Sequence, residues 1–244
     1  MKALLCLALS CVTTLAAELK EVLVEHAGTR FRVVRAAPEQ VSVVWKDPAG
    51  QPFRTFARVQ EHYAKQGRKV LFLMNAGIFE PGGVPSGLHQ EAGVLQNRLN
   101  LAEGKGNFFL KPNGVFGTGG RMASVAFIEG AGEFPARVES GFRTELAVQS
   151  GPLLLIGGKR HPAFKEGSSN KLHRNGVGVD AKGQVIFAIT AKGEIVNFWD
   201  FAGLFLKLGC KDALFLDGDI SQMAVNPGAP VESNRFGAML VIVE

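Results

Sequence analysis

The sequence is poor in cysteine and nearly devoid of tyrosine. It contains three cysteines and one tyrosine among 244 residues. Cys6 and Cys11 lie in the first 17 residues, so a chain without this segment keeps only Cys210 and forms no internal disulfide. Stability must then come from the core, and 46% hydrophobic residues in a chain of this length are enough to build one.

Most short motifs of enzyme families are also absent. There is no HExxH, no CxxC pair, no P-loop, no glycine-rich dinucleotide fingerprint and no GxSxG nucleophile elbow. The five histidines show no metal-ligand spacing, and we predict neither a metal nor another cofactor. The net charge of +5 is scattered, without a dense Lys/Arg run, which argues against nucleic-acid binding. For an exported protein it favours anionic partners such as phosphate-bearing envelope polymers.

The N terminus has the plan of a secretory signal peptide. Lys2 precedes an apolar stretch over residues 3–12, and small residues surround Ala16 and Ala17. The apolar stretch is shorter than the about 20 residues that span a bilayer. We therefore predict a signal peptide at residues 1–17, a mature domain at 18–244 and a secreted or periplasmic location without stable membrane insertion. An uncleaved membrane anchor is the alternative.

The remaining chain predicts a β-rich fold. Thirty glycines and eleven prolines indicate many turns. Alternating apolar residues over 22–45 predict a three-stranded meander, and two stretches, 53–66 and 196–209, have helical periodicity. Further strands are predicted at 70–74, 145–149, 153–156, 176–179, 184–190, 214–216 and 236–243. Without a linker or repeat, the sequence predicts a single α+β domain, with a mixed or antiparallel sheet and a few flanking helices.

Several apolar strands run directly into polar, glycine-flanked clusters. The clusters occur in ALFLDGDISQM (213–223), LFLMNAGIF (71–79), LAVQSGPLLL (146–155) and HRNGVGV (173–179). If these strand ends meet, they gather a carboxylate, a guanidinium, amides and hydroxyls. An arginine beside such donors suits a phosphate, and a carboxylate suits reaction at a sugar carbon. On the residues alone, independent strand-end caps and a divalent ion held by Asp217 and Asp219 remain open.

Five segments together resemble a known family. They are FLMNAGIFE, GNFFLKPNGVFGTGG, QSGPLLLIGGKRHPAF, RNGVGVDAKGQVIFAIT and VNFWDFAGLFLKLGCKDALFLDGDISQM, and they occur in the expected order. The chain thereby resembles, over roughly residues 70–243, the phosphodiester glycosidases, which include the mammalian lysosomal uncovering enzyme and many bacterial envelope proteins. The resemblance implies a hydrolase that cuts the bond between the anomeric carbon of an N-acetylglucosamine-type sugar and a phosphodiester.

The resemblance also implies the catalytic residues, Asn75, Arg174, Asp217 and Ser221, and it carries over Gly218. If the strand ends converge, the residues beside them complete a substrate-binding set, which is Gly77, His89, Ser150, Asn175, Gly218, Asp219 and Gln222. Arg174 would clamp the phosphodiester, Asn75 and Ser221 would hydrogen-bond phosphate or sugar, and Asp217 would supply the carboxylate. His89 or Asp219 would assist, although histidines beside loops more often serve as structural hydrogen-bonders.

The chain departs from the family pattern in three places. Ala76 replaces a glycine, Asn175-Gly176 replaces Thr-Ala, and Asp219 stands where a small residue is usual. These changes leave the substrate open more than the reaction type. Ala76 and Asp219 also support an alternative, a non-catalytic envelope polysaccharide-binding protein on the same scaffold. Metal-dependent transfer through Asp217 and Asp219 is a third interpretation.

Overall fold

The structure is a computed structural model that describes residues 18–127 and 144–244. The predicted signal peptide lies outside the described residues. No helix of the described part is long and apolar enough to cross a membrane. The elements described there are helices α1 (Phe56–Ala64) and α2 (Phe198–Lys207) and strands β1 (Glu21–His26), β2 (Thr29–Ala36), β3 (Val41–Val44), β4 (Val70–Asn75), β5 (Phe79–Glu80), β6 (Val84–Pro85), β7 (His89–Glu91), β8 (Val94–Asn97), β9 (Gly114–Gly119), β10 (Met122–Phe127), β11 (Leu146–Ser150), β12 (Leu153–Ile156), β13 (Lys159–Arg160), β14 (Asn175–Asp180), β15 (Val185–Thr190), β16 (Cys210–Asp217), β17 (Met223–Val225) and β18 (Met239–Val243).

These strands form four antiparallel sheets. The largest has seven strands in the order β1-β2-β15-β14-β16-β12-β13. A five-stranded sheet has the order β10-β9-β11-β7-β8, a four-stranded sheet the order β17-β4-β18-β3, and β5 pairs with β6. With two helices flanking these sheets, the α+β prediction is confirmed, and its sheets are antiparallel.

The core lies in three layers around the seven-stranded sheet. One face of this sheet packs against the other two large sheets, through residues such as Phe72, Phe116 and Phe187. The opposite face is covered by α2, whose Phe201 and Phe205 are fully buried. Helix α1 covers the outer face of the four-stranded sheet. Side chains that alternate along one strand therefore enter different layers.

Both helices form where the periodicity predicts them, and local chemistry sets their ends. Thr55 caps α1 by accepting a hydrogen bond from the Arg58 backbone N–H. Asn197 caps α2 in the same way through the Asp200 N–H, and Gly209, with φ of +87°, ends it. The predicted start of the first helix at Phe53 is too early, because Arg54 has a φ of +66° and interrupts helical geometry.

The predicted three-stranded meander is wrong in its third strand. Strands β1 and β2 form an antiparallel hairpin, but β3 leaves this sheet after a 3-10 turn at Pro38–Gln40. It pairs with β18 in the four-stranded sheet, with Val43 opposite Leu240. A period of two shows which side chains are buried but does not identify the partner strand.

Candidate active site

The predicted strand ends converge because three sheets meet at one place. Asn75 ends β4 of the four-stranded sheet, and Ser150 ends β11 of the five-stranded sheet. Asn175 begins β14, Asp217 ends β16, and the two residues are paired in the seven-stranded sheet. Each strand was recognisable in the sequence, but only the packing of the sheets brings their polar ends together.

Asn175 is the centre of a buried amide network. Its Nδ2 donates to the Asn75 carbonyl at 3.0 Å and to Asn75 Oδ1 at 3.2 Å. Its Oδ1 accepts from the Asp217 N–H at 2.8 Å and from the Ser221 hydroxyl at 3.0 Å. The side chain is fully buried and both of its polar atoms are satisfied, so it joins three segments rigidly.

Asn75 and Ser221 complete this network. Asn75 Nδ2 donates to Ser221 Oγ at 3.3 Å, and Asn75 Oδ1 also accepts from the Gln222 N–H at 2.9 Å. Gln222 contributes its backbone, because its side chain accepts from the Asn234 N–H. We call Asn75, Asn175, Asp217, Ser221 and Gln222 the amide cluster. Most of the polar side-chain atoms of the cluster already hydrogen-bond to other members of the cluster, which favours a positioning role for most of these residues.

Asp217 is the member with an unused polar atom. Its Oδ1 accepts from the Gly218 N–H at 2.8 Å, whereas Oδ2 accepts no hydrogen bond from the described residues. Burial raises the pKa of Asp217 to about 6; the Gly218 N–H opposes this rise and Asp219 adds to it. A half-buried carboxyl with a raised pKa at a convergence of strand ends is typical of a reactive acid.

Three predicted residues surround the cluster. The Ser150 hydroxyl donates to the Leu216 carbonyl at 2.9 Å and accepts from the Ile78 N–H, so it fixes the end of β16. Gly77 is required by close packing, since a Cβ there would lie 2.7 Å from the Gln149 carbonyl oxygen. Gly218 faces open space, because its Cβ would meet nothing closer than 3.9 Å. Gly77 and Ser150 thus have structural roles, Gly77 in close packing and Ser150 in hydrogen bonds between segments.

Arg174 precedes Asn175 but its side chain lies on the opposite face of β14. Its guanidinium carbon is 3.7 Å from the centre of the Phe198 ring, on the α2 side. Nε donates to the Val196 carbonyl at 2.8 Å and Nη2 to the Asn170 carbonyl at 3.3 Å. The structure therefore does not join Arg174 directly to the amide cluster, since successive side chains of a strand point to opposite faces.

The Arg174 guanidinium is nevertheless chemically unusual. It is fully buried, and among the described residues Nη1 has no hydrogen-bond partner and no carboxylate forms an ion pair with it. Burial lowers the pKa of Arg174 to about 10, and Asp219 partly opposes this effect. A buried cation with an unpaired donor is costly, so this guanidinium is not explained by packing alone.

The His89 side chain makes no hydrogen bond to the amide cluster within the described residues. Its Nε2 donates to Glu91 Oε1 at 2.6 Å, and its ring packs edge-on against Trp45. These contacts give His89 a packing role in the five-stranded sheet and do not support the predicted assisting role.

Two residues that the sequence did not assign to the site contact it. His173 Nε2 donates to the Ser221 carbonyl at 3.0 Å, and Thr190 Oγ1 bonds to His173 Nδ1. The His173 N–H also donates to Asp219 Oδ1 at 3.2 Å. His173 precedes Arg174 in the sequence, so its position near the site could be expected. Its hydrogen bonds to Asp219 and Ser221 could not. Thr190 carries no sequence signal of its own.

A cavity of about 460 Å³ opens beside the amide cluster. It is lined by Arg32, Phe56, His173, Ile189, Thr190, Lys192, Gly193, Ser221, Gln222, Met223, Val231 and Glu232. This volume is in the range of small-molecule sites. Within residues 18–127 and 144–244, no group of three or more His, Cys, Asp or Glu side chains is arranged to hold a metal ion.

Sequence comparison places these features in a family. A sequence model described as phosphodiester glycosidase matches residues 68–240, a range that contains the whole amide cluster. The chain is also 32% identical over 211 residues to the uncharacterized protein YigE of Escherichia coli strain K12, covering 86% of this chain and 79% of the relative.

Solved structures share the fold. The catalytic domain of zebrafish N-acetylglucosamine-1-phosphodiester alpha-N-acetylglucosaminidase, auto-inhibited by its pro-peptide, matches with a TM-score of 0.66 at 15% identity, covering 94% of this chain and 84% of that one. A putative exported protein of Burkholderia pseudomallei matches with a TM-score of 0.51 at 12% identity, covering 88% and 74%. At these identities the likeness concerns the fold alone.

Proposed function

Because the chain belongs to the phosphodiester glycosidase family, we propose that it hydrolyses the bond between a sugar's anomeric carbon and a phosphodiester. The bond from the anomeric carbon to the phosphate oxygen breaks, and the electron pair leaves with the phosphate. Water supplies a hydroxyl to the sugar and a proton to the medium. The products are a free sugar and a phosphomonoester. We propose N-acetylglucosamine-type phosphodiesters of envelope or extracellular glycans as the substrates of a secreted or periplasmic enzyme.

The observation that carries this proposal is the Asp217 carboxyl. It ends a buried strand, keeps Oδ2 unbonded within the described residues and is held by the amide cluster through its backbone N–H. In its ionised form it faces the anomeric carbon as nucleophile, as base for water or as stabiliser of an oxocarbenium-like state. The phosphate needs little protonation to leave, so a strong general acid is not required.

The pH dependence of turnover tests this role. Burial raises the pKa of Asp217 to about 6, and the reaction needs the ionised form. We expect kcat/KM to be constant above this pH and to fall about tenfold for each pH unit below it, because protonation then removes the carboxylate. A phosphodiester substrate remains a monoanion over this pH range, so the fall in kcat/KM reports a group of the enzyme. A decline above pH 6 instead of below it would assign Asp217 as an acid.

We propose that Arg174 binds the phosphate. The free Nη1 and the absence of an ion-pair partner among the described residues support this assignment. The Asn170 carbonyl, now bonded to Nη2, is a neutral acceptor that an anionic phosphate oxygen outcompetes. The role requires substrate to reach the α2 face of β14, where the guanidinium lies.

Replacing Arg174 with methionine is expected to lower kcat/KM by about 10²–10³-fold. The interaction between the guanidinium and the phosphate strengthens in the transition state, when negative charge develops on the leaving phosphate. The control is Arg160→Met. Arg160 also lies over an aromatic ring, Trp199 at 4.4 Å, and its Nε also donates to a main-chain carbonyl. The control variant should keep wild-type kinetics, and equal losses in the two variants would reduce Arg174 to a packing role.

The reaction itself is tested with an α-N-acetylglucosaminyl phosphodiester. Purified residues 18–244 should release reducing sugar and phosphomonoester in equal amounts. Saturable binding of phosphorylated polysaccharide without release of sugar would instead support the non-catalytic alternative. Loss of turnover in a chelator, restored by a divalent cation, would support metal-dependent transfer through Asp217 and Asp219.

A further inference from the structure

The turn that follows Asp217 is tied to His173 by two hydrogen bonds. The His173 backbone N–H donates to Asp219 Oδ1 at 3.2 Å, and its side-chain Nε2 bonds to the Ser221 carbonyl at 3.0 Å. Within the turn, the Ser221 N–H donates to the Gly218 carbonyl at 2.8 Å. His173 therefore holds both the middle and the end of the segment that carries the reactive carboxyl.

The direction of each hydrogen bond fixes the tautomer of His173. The Ser221 carbonyl only accepts, so Nε2 carries the proton. In the neutral ring Nδ1 is then an acceptor, and the Thr190 hydroxyl donates to it. The Thr190 oxygen in turn accepts from the Arg174 N–H at 3.2 Å. A directed chain runs from Arg174 through Thr190 and His173 to Ser221.

This chain of hydrogen bonds reaches the amide cluster at Ser221, whose hydroxyl shares an acceptor with the Asp217 N–H. A shift of the Ser221 backbone would therefore move the Ser221 hydroxyl. This hydroxyl and the Asp217 N–H both donate to Asn175 Oδ1, so the shift would also disturb the position of Asp217. Thr190 is almost fully buried, and loss of its hydroxyl leaves His173 Nδ1 without its hydrogen-bond partner in the protein.

We propose that Thr190 and His173 are positioning residues for Asp217, acting through the Ser221 carbonyl. Neither side chain needs to touch the sugar or the phosphate for this role. The inference deepens the proposed function and rests on it, because it assigns what holds the reactive carboxyl in place.

The first test is Thr190→Val, which keeps the shape of the side chain and removes its hydroxyl. We expect kcat to fall about 10–100-fold with little change in KM, because a misplacement of about 1 Å at a reacting group can cost about 10²-fold. Thr190→Ser, which restores the hydroxyl, should recover most of the loss. The control is Thr29→Val, in β2 of the same sheet, where the buried hydroxyl donates to the Ile195 carbonyl. It should not alter kcat.

The second test separates the two bonds of the His173 ring. His173→Gln keeps a donor near the position of Nε2 and can still reach Ser221, whereas His173→Asn keeps an acceptor near Nδ1 and cannot. We expect the glutamine variant to retain about tenfold more activity than the asparagine variant, because one retained hydrogen bond is worth roughly this factor. Equal activities, or the reverse order, would overturn the proposal.

A third readout needs no turnover. The carboxyl of Asp217 can be titrated by carbon-13 NMR in the wild-type protein and in Thr190→Val. Loosening the turn admits water, so the pKa of Asp217 should fall from about 6 towards its usual value. An unchanged titration with reduced kcat would refute positioning. If the wild-type protein shows no turnover but the titration shifts as expected, the proposed reaction fails and the structural link stands.

Discussion

Replacing Asp217 with asparagine is expected to abolish most turnover and to make the protein more stable. The substitution removes the ionisable group but keeps an oxygen that can accept from the Gly218 N–H. Loss of a positioned carboxylate should lower kcat by about 10²–10⁴-fold, the range for groups that take part directly in proton transfer or charge stabilisation. The opposite changes in activity and stability distinguish a reactive acid from a structural one.

The gain in stability follows from the direction of the pKa shift. Burial raises the pKa of Asp217 from 3.8 to about 6 in the folded protein, so ionisation costs folding energy above pH 6. The difference corresponds to about 3 kcal/mol at neutral pH. The cost disappears below about pH 4, where the carboxyl is protonated in both folded and unfolded chains. We expect Asp217→Asn to gain about 1–3 kcal/mol at pH 7.5 and nothing near pH 3.5.

Urea denaturation at the two pH values, together with turnover of the phosphodiester, measures both effects. Asp212→Asn is the matched control. Asp212 lies in the same strand, and its Oδ1 likewise accepts from a backbone N–H, that of Gly157. The control should change neither kcat nor the stability difference between the two pH values. A destabilised Asp217→Asn protein at pH 7.5 would show that the carboxylate is needed for the fold.

Replacing Asn175 with aspartate should be the most damaging isosteric change in the site. The amide donates through Nδ2 to two oxygens of Asn75, at 3.0 and 3.2 Å. A carboxylate would direct an unpaired negative oxygen at both acceptors in a fully buried position. Leaving an uncompensated charge in the interior costs about 3–5 kcal/mol, so we expect a loss of unfolding free energy of this size at pH 7.5.

The loss should shrink as the pH falls. The introduced carboxyl is buried, so its pKa is raised, and once protonated it can donate to one of the Asn75 oxygens. Chemical denaturation at pH 7.5 and 5 checks this direction. Asn107→Asp serves as control, because Asn107 lies in a surface 3-10 turn outside the amide cluster. A loss that does not depend on pH would show that it comes from the missing amide donor and not from the introduced charge.

Much of the secondary structure could be predicted from local patterns. The apolar runs at β4 and β12 and the periodicity of α2 match the structure closely, because burial and capping leave a direct trace in consecutive residues. The exception is β3, which has the alternation expected of a strand but pairs with β18, nearly 200 residues later. Pairing depends on distant segments, and no local pattern encodes it.

The candidate site was predictable in composition and less so in arrangement. Asn75, Asp217 and Ser221 were identified from polar residues at the ends of apolar strands, and they do meet. His89 was included in the substrate-binding set without belonging to any of these strand-end clusters; it lies in β7 and makes no hydrogen bond to the amide cluster within the described residues. Thr190 could not be found in advance, because a threonine at the end of a buried strand is common and its role depends on a histidine 17 residues away.

The sequence by itself determined most of the longer strands, the two helices, the family and the carboxylate at the end of β16. Tertiary structure alone decided which polar groups cooperate. Arg174 and Asn175 are neighbours in the chain, yet one enters the layer beneath α2 and the other the layer between the sheets. The reason is the alternation of side chains along a strand, which separates adjacent residues, while the packing of three sheets joins residues that are 100 or more positions apart.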